Sequence, residues 1–331
     1  MNIGLLALIS FFITFVFFIP FINLLYKFKL EDPNPSKHKD VFGESTPIFK
    51  KLRAGTSGTP IGGGLLIVLV VSLLTVLYFI IFDKLDIRIA GILVTFISFM
   101  ILGLFDDLKK TFHFKGGPFE LRVRQKFLLQ AVIGIAICYW LSVNGVIKIS
   151  IPGIFNVENV YLLTALSSFF MVYMLNAFNI TDGVDGLSSG TLIIALVAIL
   201  YFSTSIMDST VTVFTSLLLG SLISYLYFNI HPARLLMGDT GSLAFGSVLT
   251  LLMFMTDTFY LLPIVGFIYI VEGLSSLLQW GYRRFKGKKL FDAAPLHYHL
   301  ENRGWPQTKV TMRAYIAQAV LILIAIAIFS F

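Results

Sequence analysis

The chain has 331 residues, of which 57% are hydrophobic and only 13% are charged. A soluble domain carries charge on about a quarter of its residues, so this composition excludes a soluble protein. The formal net charge of +7 would suit a nucleic-acid partner, but basic residues between apolar runs usually mark one face of a membrane. Cys138 is the only cysteine, so neither an intrachain disulfide nor a thiolate metal site can form.

Ten apolar segments are long enough to cross a bilayer as helices, since the hydrocarbon core takes about 20 residues per span. They are residues 3–26, 61–82, 89–105, 127–143, 160–178, 187–202, 211–228, 242–255, 259–282 and 312–331. The first is too long for the apolar core of a signal peptide, so we expect it to be retained. Residues 148–160 carry β-branched residues around a Pro-Gly pair and predict a small β-hairpin. The sequence therefore predicts an all-α polytopic membrane protein with one integral membrane domain, 1–331.

The basic residues predict the orientation of the spans. The nine connections between ten membrane-spanning helices lie alternately on the two sides of the membrane. Of the 25 Lys and Arg residues, 22 fall in the odd-numbered connections. By the positive-inside rule these connections are cytoplasmic and both termini lie outside. Five aspartates share the same predicted side, namely Asp106, Asp107, Asp182, Asp185 and Asp239. Because the whole chain has only 18 acidic residues, this grouping predicts one site at the cytoplasmic face.

A glycine-rich stretch, residues 55–64 (GTSGTPIGGG), opens the second helix. Gly62, Gly63 and Gly64 remove side-chain bulk, which allows either close contact with another helix or close approach of a ligand. A glycine-rich stretch by itself is weak evidence for nucleotide binding.

Asp106 and Asp107 end the third predicted helix and are followed within one turn by Lys109 and Lys110. Adjacent carboxylates repel each other, so they share a cation, pair with lysine, or exchange a proton with a substrate. A solvated helix end is the alternative, although carboxylates are unfavourable at the negative end of a helix dipole.

The connection after the fifth helix carries oxygen-bearing side chains at three-residue spacing. They are Asn176, Asn179, Asp182 and Asp185. Gly183 and Gly186 let the backbone turn tightly beneath a ligand. Hard cations and ribose hydroxyls both need such a density of oxygen atoms. An ordinary tight turn is the alternative, but it normally needs only two residues of these types.

The seventh connection, residues 229–242, reads NIHPARLLMGDTGS. We expect Thr240 or Ser242 to cap the eighth helix, whose exposed amides over 238–242 would then form a phosphate site. Asp239 fits beside a phosphate only when a cation lies between them. Mg²⁺ prefers one or two carboxylates together with phosphate oxygens, so this motif predicts magnesium at Asp239.

Polar residues in and after the ninth helix form a further group. Glu272 and Gln279 share one face of that helix, and we expect them to form buried structural bonds inside the bundle. In the ninth connection His297 and His299 lie near Glu301 in the sequence PLHYHLE. No third His or Cys is evident there for zinc, so phosphate contact or proton handling is favoured.

The motifs DDLKK (106–110), NITDGVDGL (179–187), NIHPARLLMGDTGS (229–242) and PLHYHLE (295–301) follow one another on ten predicted spans. In this order the chain resembles the polyprenyl-phosphate N-acetylhexosamine-1-phosphate transferases from its first helix to its tenth. GTPIGGG (58–64) and the PLHYHLE loop with Gly304-Trp305 are most similar to the phospho-N-acetylmuramoyl-pentapeptide transferases.

The resemblance implies transfer of phospho-MurNAc-pentapeptide from UDP-MurNAc-pentapeptide to undecaprenyl phosphate, with Mg²⁺ as cofactor. The products are UMP and lipid I, the first membrane-bound precursor of peptidoglycan. We further expect a multi-pass protein of the bacterial plasma (inner) membrane, a homodimer, and no nucleic-acid partner. The polyprenyl tail requires a hydrophobic groove leading to Asp106, for which the ninth helix is a candidate.

By the same resemblance, the expected catalytic residues are Asp106, Asp107 and Asp239, with Asp239 as the magnesium ligand. The expected substrate-binding residues are Asn176, Asn179, Asp182, Gly183, Asp185, Asn229, Gly238, Lys126, His297 and His299. Three positions depart from the family pattern. Tyr298 replaces the middle one of three histidines, Ile61 replaces a hydroxyl-bearing residue, and Leu236 stands where an aromatic residue often stacks on uracil.

Two mechanisms and two other functions stay open at this point. Undecaprenyl phosphate attacks the β-phosphate directly or the reaction passes through a phosphoryl-aspartate, and either Asp106 or Asp107 is the base. A sister transferase that uses UDP-GlcNAc would share the acidic centre. A cation-coupled transporter would use the same acids for its ion, but such sites lie near the bilayer midplane, often between repeats, and no repeat is visible in this sequence.

Overall fold

The computed structural model describes residues 2–31, 58–82, 84–111 and 123–331. The helices are α1 (Ile3–Lys27), α2 (Gly63–Phe82), α3 (Ile87–Thr111), α4 (Val123–Val143), α5 (Val160–Thr181), α6 (Leu187–Ser205), α7 (Ser209–Asn229), α8 (Gly238–Met255), α9 (Leu262–Val265), α10 (Phe267–Lys286), α11 (Leu296–Asn302) and α12 (Gln307–Phe329), with a 3₁₀ turn at Phe259–Leu261. The strands are β1 (Ser150–Ile151) and β2 (Phe155–Asn156). Residues 32–57 and 112–122, which include much of the first and third connections and the start of the glycine-rich stretch, lie outside the described residues.

Within these residues, nine helices are long and apolar enough to cross a membrane, and a bent helix pair makes ten when it is counted as one span. This confirms the predicted all-α polytopic membrane architecture. The ninth predicted span, 259–282, is not one straight helix, because residues 259–265 and α10 meet at 76°. Gly266 lies at the break, where a Cβ would be 2.8 Å from Met174 Cε on α5. The absence of a side chain therefore lets the bend pack closely against α5.

The eighth span, α8, lies at the centre of the bundle. It begins at Gly238 rather than at residue 242. The apolar pattern predicts the later start because polar residues before 242 interrupt it, yet these residues are helical. α8 packs against α2, α3 and α5, and every residue from Asp239 to Met255 is buried. At its contact with α2, a Cβ on Gly64 would lie only 2.1 Å from Gly241 Cα. The prediction that the glycines of the second helix allow close helix contact is confirmed.

The even-numbered connections contact one another at one end of the bundle. β1 and β2 pair antiparallel with Ser150 opposite Asn156, which confirms the predicted hairpin. The Ser150 hydroxyl donates to Asp257 Oδ1 at 2.7 Å and joins the hairpin to the connection after α8. Arg88 and Asp208 form an ion pair between the second and sixth connections.

The described parts of the odd-numbered connections meet at the other end. Ile61 pairs with Leu236, so the segment that opens α2 lies beside the segment that precedes α8. The Thr311 hydroxyl at the start of α12 donates to the Asp185 carbonyl at 3.2 Å. The first, fifth, seventh and ninth connections thus share one region, and the end of α3 joins them there through Asp107.

Candidate active site

Asp239, the second residue of α8, lies at the centre of a cluster of charged side chains. Its Oδ2 atom is 2.5 Å from Lys110 Nζ on α3 and 2.5 Å from Lys126 Nζ on α4. The Asp239 side chain is only 12% exposed. A carboxylate in a site with little water is stable only when opposite charge lies this close, and two ammonium groups provide it.

Asp106, near the end of α3, faces the same two lysines. Its Oδ2 atom is 3.1 Å from Lys110 Nζ and 3.0 Å from Lys126 Nζ. Lys110 follows Asp106 by four residues, so both side chains leave the same face of α3, while Lys126 comes from the first turn of α4. Asp106, Asp239, Lys110 and Lys126 therefore form one group of two carboxyl and two ammonium groups, which we term the carboxylate–lysine cluster.

Asp107, the next residue, caps α8. Its Oδ1 atom accepts the Asp239 N–H at 3.0 Å, and its Oδ2 atom accepts the Thr240 N–H at 2.9 Å and the Thr240 hydroxyl at 2.7 Å. Amides at a helix N-terminus have no partner within the helix, so the carboxylate satisfies them. The prediction that Thr240 or Ser242 caps α8 is wrong, because neither side chain does so. Of the amides over 238–242 that are expected to bind a phosphate, those of Asp239 and Thr240 are bonded to Asp107.

Gly238 makes this cap sterically possible. Its φ of +77° lies in the left-handed region, which favours glycine because other residues meet steric strain there. A Cβ at this position would lie 2.6 Å from Asp107 Oδ2 and 2.7 Å from Ile61 Cγ2. Gly238 thus contributes backbone shape and free space to the site.

Asn179, near the end of α5, contacts the second oxygen of Asp239. Its Nδ2 atom donates to Asp239 Oδ1 at 2.6 Å and to Ser242 Oγ at 2.7 Å. Asp239 is therefore held from two sides, by an amide on Oδ1 and by lysines on Oδ2. Asn179 lies in the predicted site, whereas Asn176, one turn earlier, donates to Gln130 Oε1 at 2.8 Å and joins α5 to α4.

Asp185 and Asn229 hold the fifth and seventh connections together. Asp185 Oδ2 lies 2.9 Å from His231 Nδ1 and accepts the Ala233 N–H at 3.0 Å. Asn229 Oδ1 accepts the Gly186 N–H at 3.0 Å. In this arrangement both predicted binding residues fix the shape of the loops.

Asp182, at the end of α5, accepts the Ser188 hydroxyl at 2.5 Å and so shapes the turn into α6.

The structure separates the two predicted histidines. His297 is buried in α11, contacts Glu272 on α10 at 3.0 Å, and lies against Gly183, where a Cβ would be 2.6 Å from His297 Nε2. His299 instead lies 3.7 Å from Asp292 in the loop between α10 and α11. His297 therefore borders the loop that contains Asp182 to Gly186, and His299 contacts a different loop.

Comparison with known proteins identifies the family. Residues 89–257 match the family model of glycosyl transferase family 4. The chain is 34% identical to the phospho-N-acetylmuramoyl-pentapeptide transferase of Clostridioides difficile, over 97% of this chain and 95% of that protein. Proteins of the same name from Caldanaerobacter subterraneus and Fusobacterium nucleatum are each 33% identical, over 93% and 98% of this chain and 92% and 93% of their own lengths. The chain belongs to the phospho-N-acetylmuramoyl-pentapeptide transferase family.

Membership of this transferase family makes the chain an enzyme and excludes the cation-coupled transporter. It confirms the resemblance that the motif order indicates. The region matched to glycosyl transferase family 4 contains the whole carboxylate–lysine cluster together with Asp107 and Asn179. The cluster therefore belongs to the part of the chain that defines the family.

The donor chemistry of the carboxylate–lysine cluster in this transferase fits a magnesium ion. Asp106 Oδ2 and Asp239 Oδ2 lie within 3.1 Å of the same Lys110 Nζ atom, so the two oxygens face one shared position. Mg²⁺ binds through one or two carboxylates and takes its other ligands from water and substrate phosphates. Over the described ranges, no group of three or more His, Cys, Asp or Glu side chains is placed to hold a metal. A magnesium site here would thus take its other ligands from water and from substrate phosphates.

Two residues of the site are missing from the sequence-based assignment. Lys110 contacts both carboxylates of the cluster, and its signal is the four-residue spacing from Asp106 along one helix. Ser242 contacts Asn179, but the sequence indicates for it only a capping role, which it does not have. Its spacing of three residues from Asp239 in α8 is the signal that places both on one face.

Proposed function

We propose that this protein transfers phospho-MurNAc-pentapeptide from UDP-MurNAc-pentapeptide to undecaprenyl phosphate, forming lipid I and UMP in peptidoglycan synthesis. The observation that carries this proposal is similarity over nearly the full length to relatives that bear the transferase name. The carboxylate–lysine cluster supports it. Transfer between two phosphates has to overcome repulsion between anions, and a buried site with fixed cationic groups lowers that barrier.

The residues of the cluster have separate functions in the proposed reaction. Asp239 and Asp106 would hold magnesium, which would supply positive charge against the phosphate oxygens. Lys110 and Lys126 donate hydrogen bonds to phosphate oxygens that enter the cluster, since each ammonium group has three N–H donors. Asn179 holds Asp239 Oδ1 and keeps Oδ2 directed at the lysines. An oxygen of undecaprenyl phosphate forms a bond to the β-phosphorus, and the bond from that phosphorus to UMP breaks.

We assign the contact with the acceptor phosphate to Asp106 rather than to Asp107. Both oxygens of Asp107 accept bonds from the first residues of α8, and withdrawing them would leave buried amides without partners. Asp106 Oδ2 faces the lysines, where a phosphate can enter. In direct attack, Asp106 accepts any proton that the acceptor phosphate carries.

Incubation of the purified protein with the sugar nucleotide alone tests direct attack. We expect no covalent phosphate on the protein by intact-mass spectrometry and no UMP release without undecaprenyl phosphate. A phosphorylated aspartate together with release of UMP would overturn direct attack and indicate the two-step route.

We propose that the site faces the cytoplasm, that the protein lies in the bacterial plasma membrane, and that it forms a homodimer. The excess of basic residues in the odd-numbered connections supports this orientation.

Leu274 and Trp280 on α10 are exposed, while Gly273 packs against Ala177, two residues before Asn179 on α5. We propose that the exposed side of α10 guides the polyprenyl tail toward the cluster. Light scattering of the protein in mild detergent tests the dimer.

One assay tests donor specificity. The purified protein receives undecaprenyl phosphate, Mg²⁺ and either radiolabelled UDP-MurNAc-pentapeptide or radiolabelled UDP-GlcNAc. We expect label in the lipid phase from UDP-MurNAc-pentapeptide only, and the Asp239→Asn variant serves as the inactive control. Transfer from UDP-GlcNAc only would support the sister transferase instead. Transfer from neither donor would contradict the proposed reaction.

A further inference from the structure

Glu272 and His297 form a buried pair between α10 and α11, apart from the carboxylate–lysine cluster. Glu272 Oε2 lies 3.0 Å from His297 Nδ1 and accepts the His297 backbone N–H at 3.2 Å. The His297 side chain is fully buried, and the Glu272 side chain is 6% exposed. A carboxylate is costly to bury unless it is paired. The contact with His297 is therefore what allows the Glu272 carboxylate to be buried here.

The pair determines which ring nitrogen of His297 carries the proton. An ionised carboxylate only accepts hydrogen bonds, so Nδ1 is protonated in the pair. Nε2 then lies on the opposite side of the ring. It is buried, and no hydrogen-bond partner is present for it in the described part of the chain. Buried polar atoms are nearly always paired in folded proteins, so this nitrogen is placed to accept a hydrogen bond from a ligand group.

His297 Nε2 is directed at Gly183 in the loop between α5 and α6. A Cβ at Gly183 would lie 2.6 Å from Nε2 and 3.1 Å from the Tyr298 hydroxyl. Only glycine fits at position 183, because any Cβ would lie too close to Nε2. The loop follows directly on the end of α5, where Asn179 contacts Asp239. Nε2 thus faces the border of the proposed active site.

Gln279, two turns further along α10, shows what a purely structural bond looks like on this face. Its Nε2 atom donates to the Phe291 carbonyl at 3.2 Å. Its Oε1 atom accepts the N–H groups of Leu290 and Phe291 at 3.0 and 2.9 Å. Both polar atoms of the Gln279 side chain are used on the backbone of one loop. The Glu272–His297 pair differs because it ends in a ring nitrogen for which the described residues provide no hydrogen-bond partner.

We propose that Glu272 is a positioning residue, which holds His297 with Nε2 ready to accept a hydrogen bond from a hydroxyl or N–H group of the sugar-nucleotide donor. The inference rests on the proposed function, since it requires a sugar nucleotide beside Gly183. Glu272 does not touch the substrate, and its whole effect passes through His297. A carboxamide at this position would donate as well as accept, so both tautomers of the ring could pair with it.

Glu272→Gln tests this function in the kinetics of the purified enzyme. We expect kcat/KM for the sugar nucleotide to fall roughly ten- to hundredfold, the range seen when an orienting partner of a functional histidine is removed. The KM for undecaprenyl phosphate should not change. Glu158→Gln makes the same chemical change at an exposed position beside the hairpin and should leave both constants unchanged. A fall in thermal stability without a change in kcat/KM would overturn the proposal and indicate a purely structural pair.

A double-mutant cycle separates positioning from an independent function of Glu272. If Glu272 acts through His297, the double variant Glu272→Gln/His297→Gln should lose no more activity than His297→Gln alone. Losses that multiply in the double variant would overturn the proposal. The cycle uses whichever sugar nucleotide the wild-type enzyme accepts, so failure of the proposed donor does not affect its result.

Nitrogen NMR of protein with ¹⁵N-labelled histidine tests the geometry without any substrate. We expect the His297 signal, assigned by its loss in His297→Gln, to report a proton on Nδ1 at neutral pH in the wild-type protein. In Glu272→Gln we expect a mixture of tautomers. A wild-type spectrum with the proton on Nε2 would overturn the proposal, even if Glu272→Gln does not fold. Failure of the proposed function in the transfer assay would leave this spectrum unaffected, so the two outcomes are distinguishable.

Discussion

Asp107 on α3 accepts the backbone N–H of Asp239 on α8, with an oxygen-to-nitrogen distance of 3.0 Å. Its neighbour in sequence, Asp106, faces the lysines of the cluster instead. Successive residues of an α-helix point about 100° apart, so adjacent side chains reach different surroundings. Two carboxylates that look equivalent in the sequence therefore have different functions, one anchoring α8 and the other pairing with lysines.

Asp107→Ala should lower the free energy of unfolding by about 1–2 kcal/mol, because the variant removes the acceptors at the N-terminus of α8. Asp107→Asn keeps one acceptor oxygen and should lose less. The measurement is thermal unfolding of each variant in the same detergent. An unchanged midpoint for Asp107→Ala would contradict the capping function.

Asp239→Asn should lower kcat by about 100-fold or more, the size of the effect when one charge-stabilising group is removed from an active site. The rate should also become less sensitive to Mg²⁺ concentration. The matched control is Asp257→Asn, the same change just beyond the other end of α8, where the left-handed backbone suits asparagine. Full Mg²⁺-dependent turnover by Asp239→Asn would remove it as the proposed metal ligand.

Lys110→Met should have opposite effects on catalysis and on metal binding. Transfer should fall by about 100-fold because a donor to the phosphates is lost. Without substrate, Mn²⁺ used as a spectroscopic probe should bind about tenfold more tightly, because a positive charge beside both carboxylates is removed. Lys109→Met is the control, since the Lys109 ammonium lies over the Phe105 ring outside the cluster. Weaker Mn²⁺ binding by Lys110→Met would contradict a shared position for lysine and metal.

Gly238→Ala should lower both stability and activity, because a Cβ cannot fit beside Asp107 and the left-handed backbone is strained with a side chain. Gly281→Ala on α10 has open space around its Cβ and should be neutral or stabilising by up to about 1 kcal/mol through helix propensity. Expression, unfolding midpoint and transfer rate of the two variants give the comparison. Equal behaviour of the two variants would show that the close fit at Gly238 has no consequence.

The proposed cytoplasmic orientation of the site predicts which loops a membrane-impermeant thiol reagent reaches from outside. In a Cys138→Ala background, Ile154→Cys in the hairpin should react in intact cells. Lys288→Cys, in the connection after α10, should react only after the membrane is permeabilised. Both positions are exposed in the structure. The reverse pattern of labelling would overturn the orientation.

The sequence determined the membrane spans and the hairpin, and it predicted the region of the candidate site. Each of these depends on a short stretch of chain: about 20 apolar residues for a span, or β-branched residues around Pro-Gly for the hairpin. Alternation of the connections then brings Asp106, Asp107 and Asp239 to one end of the bundle, as the order of the motifs predicts. The family assignment depends on the same motifs, read in order.

Only the tertiary structure decided how the individual side chains divide their functions. Helical spacing fixes the direction in which Asp107 leaves α3, but the amides it meets belong to α8, more than 130 positions away in the chain. The same holds for His297, which contacts Glu272 and Gly183, and for His299, which does not join them. Sequence patterns report local periodicity, while caps, ion pairs and the bend at Gly266 depend on which helices pack together. That packing is set by side-chain shape across the whole bundle, which no single segment contains.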